Sequence, residues 1–190
     1  MYNTTDKKAP FSMDIIRRLT GMQDVSPQHW LEMSHVCQTL SNCFSLYGYQ
    51  SVGTPLLEET ELFLRKSGGE LAARMYTFTD PGGRRVSLRP EFTASVVRGY
   101  IEGGLGQELP LRVQYRGPAF RYPLDQEGKY RQFTQVGAEL LGAAGPAADA
   151  EILALACRGL SAVGVKEYTV TVGHLGVVNS FLGQLGLSER

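Results

Sequence analysis

The sequence predicts an α+β fold in which an antiparallel sheet is flanked by helices. Two pairs of strand-like segments, within residues 75–89 and 111–141, each contain a turn between their halves. Helical patterns lie before, between and after these pairs, which argues against a parallel sheet of alternating strands and helices. Regular alternation of side chains in residues 130–141 indicates a strand with two different faces.

The first element is a long amphipathic helix, which follows a polar segment (residues 1–14) that we expect to be a flexible arm. Ser26 is a favourable N-cap, Pro27 fits the first helical position, and Gly48 ends the pattern. Apolar residues recur three and four positions apart: Trp30, Met33, Val36, Cys37, Leu40, Cys43, Phe44 and Tyr47. This stripe is suited to cover a sheet or to meet a second copy of itself.

Turn residues and hydrophobic period predict the remaining elements. In chain order they are a strand at 49–55, a helix at 56–66, a hairpin of 75–79 and 84–89, a helix at 93–102, a hairpin of 111–122 and 130–141, a helix at 149–163, a strand at 168–172 and a helix at 175–187. Residues 15–190 are thus expected to form one core. Because no domain-closing signal follows the last helix, we expect the chain to be the N-terminal part of a longer protein.

The composition argues against several classes of function. Lys+Arg and Asp+Glu both total 19, and the basic residues are scattered, whereas nucleic-acid-binding segments usually carry a basic face. No apolar run approaches the roughly 20 residues of a membrane span, and the first residues contain no secretory leader. The cysteines Cys37, Cys43 and Cys157 are expected to be reduced thiols, so we predict a cytoplasmic protein. The three histidines have no ligand spacing, and no metal site is predicted.

The second hairpin carries the most informative polar pattern. Alternate residues of a strand share a face, so Arg131, Gln135 and Glu139 line up, with Gly137 leaving an open floor between them. The opposite face, which includes Val136, is apolar and is predicted to pack on the core.

Polar side chains on two further strands are expected to join this face. They are Arg121, beside Tyr115, Gly117 and Ala119 on the preceding strand, and Ser87, Arg89 and Glu91 in the earlier hairpin. The small residues Gly117 and Ala119 are again expected to leave open space next to Arg121. Carboxylates and a carboxamide suit an ammonium group and an imidazole, and a guanidinium suits a carboxylate or a phosphate. Periodicity alone fits a solvated sheet face with cross-strand ion pairs equally well, so it identifies no ligand.

Four segments occur in a specific order and spacing: YGYQSVGTPLLEETELF (47–63), MYTFTDPGGRRVSLRPEFT (75–93), GPAFRYPLDQEGKYRQFTQVGAELLG (117–142) and DAEILAL (149–155). With them the chain resembles the class II histidyl-tRNA synthetase family over residues 19–176. Pro55 matches the motif 1 proline, and residues 117–142 match the motif 2 hairpin. The resemblance implies the class II aminoacyl-tRNA synthetase-like antiparallel sheet flanked by helices, with residues 15–190 as the front part of that core.

The resemblance also implies roles for individual residues. The positions that match those holding the histidine ligand are Glu91, Thr93, Gln135 and Glu139. Arg121 matches the motif 2 arginine that meets the α-phosphate and the amino-acid carboxylate. Tyr115 and Arg131, which share the predicted faces, are expected as pocket walls. A homodimer through the motif 1 helix, about residues 27–47, is implied as well.

The chain departs from the family pattern at three positions. Phe92 stands where synthetases have a glycine, Pro123 replaces the motif 2 glutamate expected to read the adenine amino group, and Thr134 replaces a histidine. Losing an acceptor for a buried amino group typically costs about 1–3 kcal/mol. The residues expected to contact histidine are therefore retained, whereas the adenine contact is altered.

This selective pattern resembles the synthetase-like regulatory subunit of ATP phosphoribosyltransferase, which acts in histidine biosynthesis. Our main prediction is such a subunit, which binds histidine without aminoacylation, pairs with a catalytic ATP phosphoribosyltransferase subunit and holds no cofactor tightly. The alternative is a histidine–tRNA ligase, which binds ATP and Mg²⁺, activates histidine and charges tRNA. A dimerising paralogue with an empty pocket is the third possibility.

Overall fold

The computed structural model describes residues 16–65, 71, 73–106, 108–122 and 130–185, so the arm predicted at 1–14 lies outside the described residues. Within these ranges it confirms the α+β class, with two three-stranded sheets and flanking helices. The elements are α1 (Pro27–Leu46), β1 (Gln50–Ser51), β2 (Leu57–Glu59), α2 (Thr60–Leu64), β3 (Thr77–Thr79), β4 (Arg85–Leu88), α3 (Thr93–Ile101), β5 (Leu111–Phe120), β6 (Gln132–Leu141), α4 (Pro146–Ala162) and α5 (Leu175–Gln184). None of the helices described is long and apolar enough to cross a bilayer.

Helix α1 begins and ends as its sequence predicts. The Ser26 hydroxyl accepts a hydrogen bond from the His29 backbone N–H at 3.3 Å, and Pro27 occupies the first turn. Gly48 follows the helix with φ +82°, a conformation that favours glycine. The second half of the helix buries Cys43 and Phe44, so the predicted stripe covers the sheet there.

The larger sheet has the order β1–β5–β6 and contains the predicted second hairpin. Strand β1 runs parallel to β5, and β5 pairs antiparallel with β6 in a register that sets Tyr115 opposite Gly137 and Gly117 opposite Gln135. This register confirms that the predicted polar positions of β5 and β6 lie on one face.

The apolar face of this sheet packs on the core, as predicted, and the helices that cover it are α1 and α4. Phe44, Tyr49 and Leu155 form a buried cluster with Cys43, on which Val136 packs from β6. The helices approach closely at Gly159, where an added Cβ would lie 3.1 Å from the Leu40 side chain. Burial on this side therefore fixes which face of the hairpin turns toward α3.

The opposite face is partly buried as well. Phe92 and Val96, at the start of α3, form a second cluster with Val113 and Tyr115 of β5. The neighbouring Leu141 packs against this cluster from β6. The polar residues of this face thus lie beside a hydrophobic core and not on an open, solvated surface.

Three sequence-based expectations are corrected. The segment 56–66, predicted as one helix, contains β2 followed by the short α2. Residues 165–174 form no regular element, so the strand at 168–172 is wrong; a strand needs a neighbouring ladder, and the described chain supplies none there. The two hairpins do not form one continuous surface, because β2, β4 and β3 make a separate sheet.

Candidate functional site

Glu91 follows β4 and holds the first turn of α3. Its Oε2 accepts the Thr93 backbone N–H at 2.6 Å, and its Oε1 accepts that of Ala94 at 3.0 Å. The first N–H groups of a helix have no partner within the helix, and a carboxylate there also complements the helix dipole. Glu91 is therefore fixed in orientation by the backbone that it caps.

Thr93 links this helix terminus to strand β6. Its hydroxyl donates to Glu139 Oε1 at 2.6 Å, and the Tyr115 hydroxyl donates to the same oxygen at 3.2 Å. The hydrogen bonds that Glu139 receives from described residues both end on Oε1. The second carboxylate oxygen, Oε2, thus remains an acceptor for a group from outside this part of the chain.

Gln135 lies on the same face of β6, four residues before Glu139. Its side-chain oxygen, Oε1, is buried and has no hydrogen-bond partner in the described ranges. A buried acceptor without a donor costs about 1–3 kcal/mol, so such groups are rare and call for an explanation. An N–H donor supplied by a ligand would satisfy this oxygen.

Tyr115 donates its hydroxyl to Glu139, one of the two acidic residues. Burial raises the pKa of its phenol, and the negative charge of Glu139 together with the hydrogen bond to it raises the pKa further, with a smaller contribution from Glu91. Tyr115 therefore stays protonated at neutral pH and acts as a donor. Thr93 brings the two predicted acidic residues together, since its backbone N–H bonds to Glu91 and its hydroxyl to Glu139.

The open floor predicted above the glycines is wrong. A Cβ added at Gly137 would lie 2.5 Å from the Tyr115 hydroxyl, and one at Gly117 would lie 2.8 Å from the Arg89 guanidinium and 3.3 Å from the Phe92 ring. The two glycines admit these side chains of the protein itself. The polar groups therefore lie against packed aromatic side chains, and not beside open space.

Ser87 and Arg89, predicted on the polar face, are internal structural residues. Both are almost fully buried. The Ser87 hydroxyl is 2.9 Å from that of Thr60, and Arg89 donates from Nε to the Pro118 carbonyl and from Nη1 to the Thr54 carbonyl. Desolvation lowers the pKa of Arg89, and its carbonyl partners hold it in place. Neither side chain is presented to a ligand.

The two remaining predicted residues lie at the hairpin end. Arg121 donates from Nε to the Pro90 carbonyl at 2.9 Å, which places the exposed guanidinium next to the segment that carries Glu91. Arg131 has its guanidinium carbon 4.2 Å from the centre of the Tyr122 ring and covers Gly21, where a Cβ would lie 2.6 Å from its Cγ. Arg121 thus keeps an exposed guanidinium beside the segment of Glu91, whereas the contacts of Arg131 are structural.

Two of the three departures from the family pattern lie within the described residues. Phe92 is 1% exposed and belongs to the core cluster beneath α3. Thr134 points to the α1 side of the sheet, where its hydroxyl is 3.6 Å from the Met33 sulfur. Pro123 lies outside the described residues. The Phe92 ring thus packs beneath the polar groups, against the ring of Tyr115.

Sequence reasoning missed a groove between α1 and the β5–β6 hairpin. The groove encloses about 900 Å³ and is lined by Trp30, Leu31, Met33, Phe133 and Thr134 among others. Trp30 and Leu31 are 57% and 65% exposed. The signal was present in the first half of the apolar stripe of α1, which is longer than the sheet that the helix covers. No group of three His, Cys, Asp or Glu side chains able to hold a metal ion occurs within the described part.

Comparisons with known proteins identify the family to which the chain is similar. A family model described as histidyl-tRNA synthetase matches residues 21–190. The chain is 44% identical over 168 residues to the histidine–tRNA ligase of Geobacillus kaustophilus, covering 84% of this chain and 39% of that protein. It is 40% identical over 170 residues to that of Methanocaldococcus jannaschii, covering 90% and 41%.

A solved structure is similar as well. It is described as an ATP phosphoribosyltransferase regulatory subunit/histidyl-tRNA synthetase from Bacillus halodurans, and the similarity has a TM-score of 0.76 at 28% identity. The match covers 93% of this chain and 45% of that one. The chain spans about two fifths of the length of the two ligases that it matches.

Proposed function

The chain belongs to the histidyl-tRNA synthetase family, and from this membership we propose that it binds free histidine. The observation that carries the proposal is the gathering of Glu91, Thr93 and Glu139 around shared hydrogen bonds, on the strand face that also carries the buried Gln135 oxygen without a partner among the described residues. A family shares a fold more readily than a function, so the chemistry of the site has to support the ligand independently.

The chemistry of the cluster suits a histidine zwitterion. Glu139 Oε2 and Gln135 Oε1 are acceptors, and histidine offers N–H donors on its ammonium group and its imidazole. Arg121, which bonds to the Pro90 carbonyl beside Glu91, suits the carboxylate of the amino acid, or a phosphate. Acceptors on one side and a guanidinium on the other match a ligand with a positive and a negative end.

One proposed use of bound histidine is regulation. In this proposal the protein is a non-catalytic subunit that binds histidine and pairs with a catalytic ATP phosphoribosyltransferase subunit. The observation that favours it is Pro123, which cannot replace the motif 2 glutamate expected at the adenine. The Bacillus halodurans structure, whose description includes a regulatory subunit of that enzyme, supports the same use.

The other proposed use is catalysis by a histidine–tRNA ligase, and a different observation favours it. The two relatives with the identities given above are both histidine–tRNA ligases. Phe92 is buried in the core beneath the polar groups and Thr134 lies on the opposite face of the sheet, so neither departure argues against activation of histidine. In this proposal ATP and tRNA are substrates, Mg²⁺ is a cofactor, and Arg121 meets the α-phosphate.

We also propose a homodimer through α1. The apolar groove between α1 and the second hairpin leaves Trp30 and Leu31 exposed on the helix that the family uses for dimerisation. A second copy of the chain would bring the same apolar helix to the groove by two-fold symmetry. Burial of such a patch stabilises association by roughly 25 cal/mol per Å² of apolar surface before the costs of association.

The proposed ligand is tested by calorimetric titration of the purified protein with L-histidine. We expect saturable binding that Glu139→Gln weakens about tenfold or more, because the substitution replaces a charged acceptor. Glu32→Gln, on the exposed surface of α1, is the matched control and should bind as the wild type does. Absence of binding by the folded wild type would refute the proposal.

Pyrophosphate exchange separates the two uses of histidine. A ligase exchanges labelled pyrophosphate into ATP only when histidine is present, since the exchange reverses formation of the adenylate. Histidine binding without exchange, together with co-purification of a catalytic ATP phosphoribosyltransferase subunit, supports the regulatory use. Histidine-dependent exchange supports the ligase.

A further inference from the structure

Phe92 belongs to a stack of three planar groups beneath the candidate site. Its ring lies parallel to that of Tyr115, with 4.3 Å between centroids and 4° between planes. The Arg89 guanidinium carbon lies 3.7 Å from the centre of the Phe92 ring. Because Arg89 is itself held by the Thr54 and Pro118 carbonyls, it limits the movement of Phe92.

This stack confines Tyr115 beside the backbone of β6. The Tyr115 ring passes directly over Gly137, where a Cβ would lie 2.5–2.6 Å from ring atoms and the hydroxyl. Phe92 lies parallel to the same ring, so the sheet and the stack together define its plane. A ring fixed in this way directs its hydroxyl to a single place, which is Glu139 Oε1 at 3.2 Å.

The confinement has a consequence for Glu139. A carboxylate that receives two hydrogen bonds on one oxygen cannot rotate without breaking both, and Tyr115 and Thr93 supply those two bonds. Oε2 is therefore presented in a fixed direction. Ligand groups bound by pre-oriented acceptors lose less affinity to ordering of the protein.

We propose that Phe92 is a positioning residue for Glu139, which acts by stacking on Tyr115 and thereby orients Oε2 toward the ligand. The part of this inference that concerns ligand affinity rests on the proposed binding of histidine; the positioning of Tyr115 does not. Synthetases have a glycine at this position. In this chain the position carries a ring that supports the site residues.

The competing explanation is that Phe92 only fills core volume, and a double-mutant cycle distinguishes the two. Phe92→Leu keeps a buried apolar side chain but removes the flat ring, and Tyr115→Phe keeps the stack but removes the hydroxyl. We expect Phe92→Leu to weaken histidine binding about tenfold in the wild-type background. In the Tyr115→Phe background its effect should fall below about twofold, because the hydroxyl that it positions is gone. Equal effects in both backgrounds would overturn the proposal.

A ligand-free crystal structure of Phe92→Leu tests the positioning directly. The distance from the Tyr115 hydroxyl to Glu139 Oε1, 3.2 Å in the wild type, should widen beyond the roughly 3.5 Å limit of a hydrogen bond. An unchanged distance would refute the positioning role even if histidine binds. If the wild type does not bind histidine, the proposed function fails and this distance alone decides the inference. Phe92→Met, which also lacks a flat ring, takes its place if Phe92→Leu does not fold.

Discussion

At the scale of single residues, Gly137 decides what lies beneath the candidate site. It pairs with Tyr115 in the β5–β6 register, and its missing side chain lets the tyrosine ring lie flat on the strand. Even a methyl group at this position would overlap the ring. The hydrogen bond from Tyr115 to Glu139 therefore depends on a glycine that contacts no ligand.

Gly137→Ala tests this dependence. The added Cβ must displace the Tyr115 ring, and overpacking of this kind typically costs about 1–3 kcal/mol of unfolding free energy. Denaturant unfolding should show that loss, and histidine affinity should fall with it. The control is Gly53→Ala, where an added Cβ meets nothing within 4 Å. Equal stability of the two variants would contradict the account of Gly137.

Residue-scale predictions from the sequence succeeded where strand geometry decides and were wrong where packing decides. Alternation along β6 correctly set Gln135 and Glu139 on one face, because side chains of a strand alternate whatever surrounds them. The same reasoning predicted open space above Gly117. Alternation gives the side of a sheet but not the direction of a ring from another element, and Phe92 enters that space from the start of α3.

At the scale of elements, a three-residue cluster joins α4 to the larger sheet. Glu151 of α4 accepts hydrogen bonds from Arg112 of β5 at 2.8 and 2.7 Å, and from the Tyr49 hydroxyl at 2.9 Å. The bonds from Arg112, followed by that from Tyr49, lower the pKa of Glu151 to about 2. Burial and the bond to Glu151 raise the pKa of Tyr49 to about 12.

The lowered pKa of Glu151 predicts a loss of stability in acid. A carboxyl whose pKa is lower in the folded state stabilises the protein above its ordinary value of 4.5, and this contribution is lost as the pH falls toward 2. Thermal unfolding between pH 6 and about pH 2 should therefore show a smaller acid-induced drop in Tm for Glu151→Gln than for the wild type. Glu32→Gln is the exposed control and should follow the wild type. Parallel pH profiles for wild type and Glu151→Gln would contradict the prediction.

Elements were predicted correctly from the sequence where local signals define them, and wrongly where a pairing strand is also needed. The first helix and both hairpins were predicted correctly because caps, turns and periodicity are local signals. The strand at 168–172 was wrong, although Tyr168, Val170 and Val172 alternate as in a strand. All three side chains are exposed, and no ladder partner is present among the described residues. A period of two reports a preference for extended backbone, whereas a strand also requires another strand.

At the scale of the whole molecule, the groove along α1 predicts self-association. Trp30→Asp places a charge in the apolar groove and should convert a dimer to a monomer in analytical ultracentrifugation. Leu46→Asp is the matched control, since Leu46 lies at the end of the same helix, is 87% exposed and does not line the groove. A monomeric wild type, or a Trp30→Asp variant that remains dimeric, would contradict the proposed interface.

The central claim for the molecule is that Glu91, Thr93, Gln135 and Glu139 together form a site for histidine. A crystal structure of the protein with L-histidine tests it most directly. The account predicts density for the amino acid with N–H groups within about 3.2 Å of Glu139 Oε2 and Gln135 Oε1, and a carboxylate toward Arg121. Crystals saturated with histidine that show the ligand elsewhere, or no ligand while Gln135 Oε1 bonds to the protein itself, would contradict it.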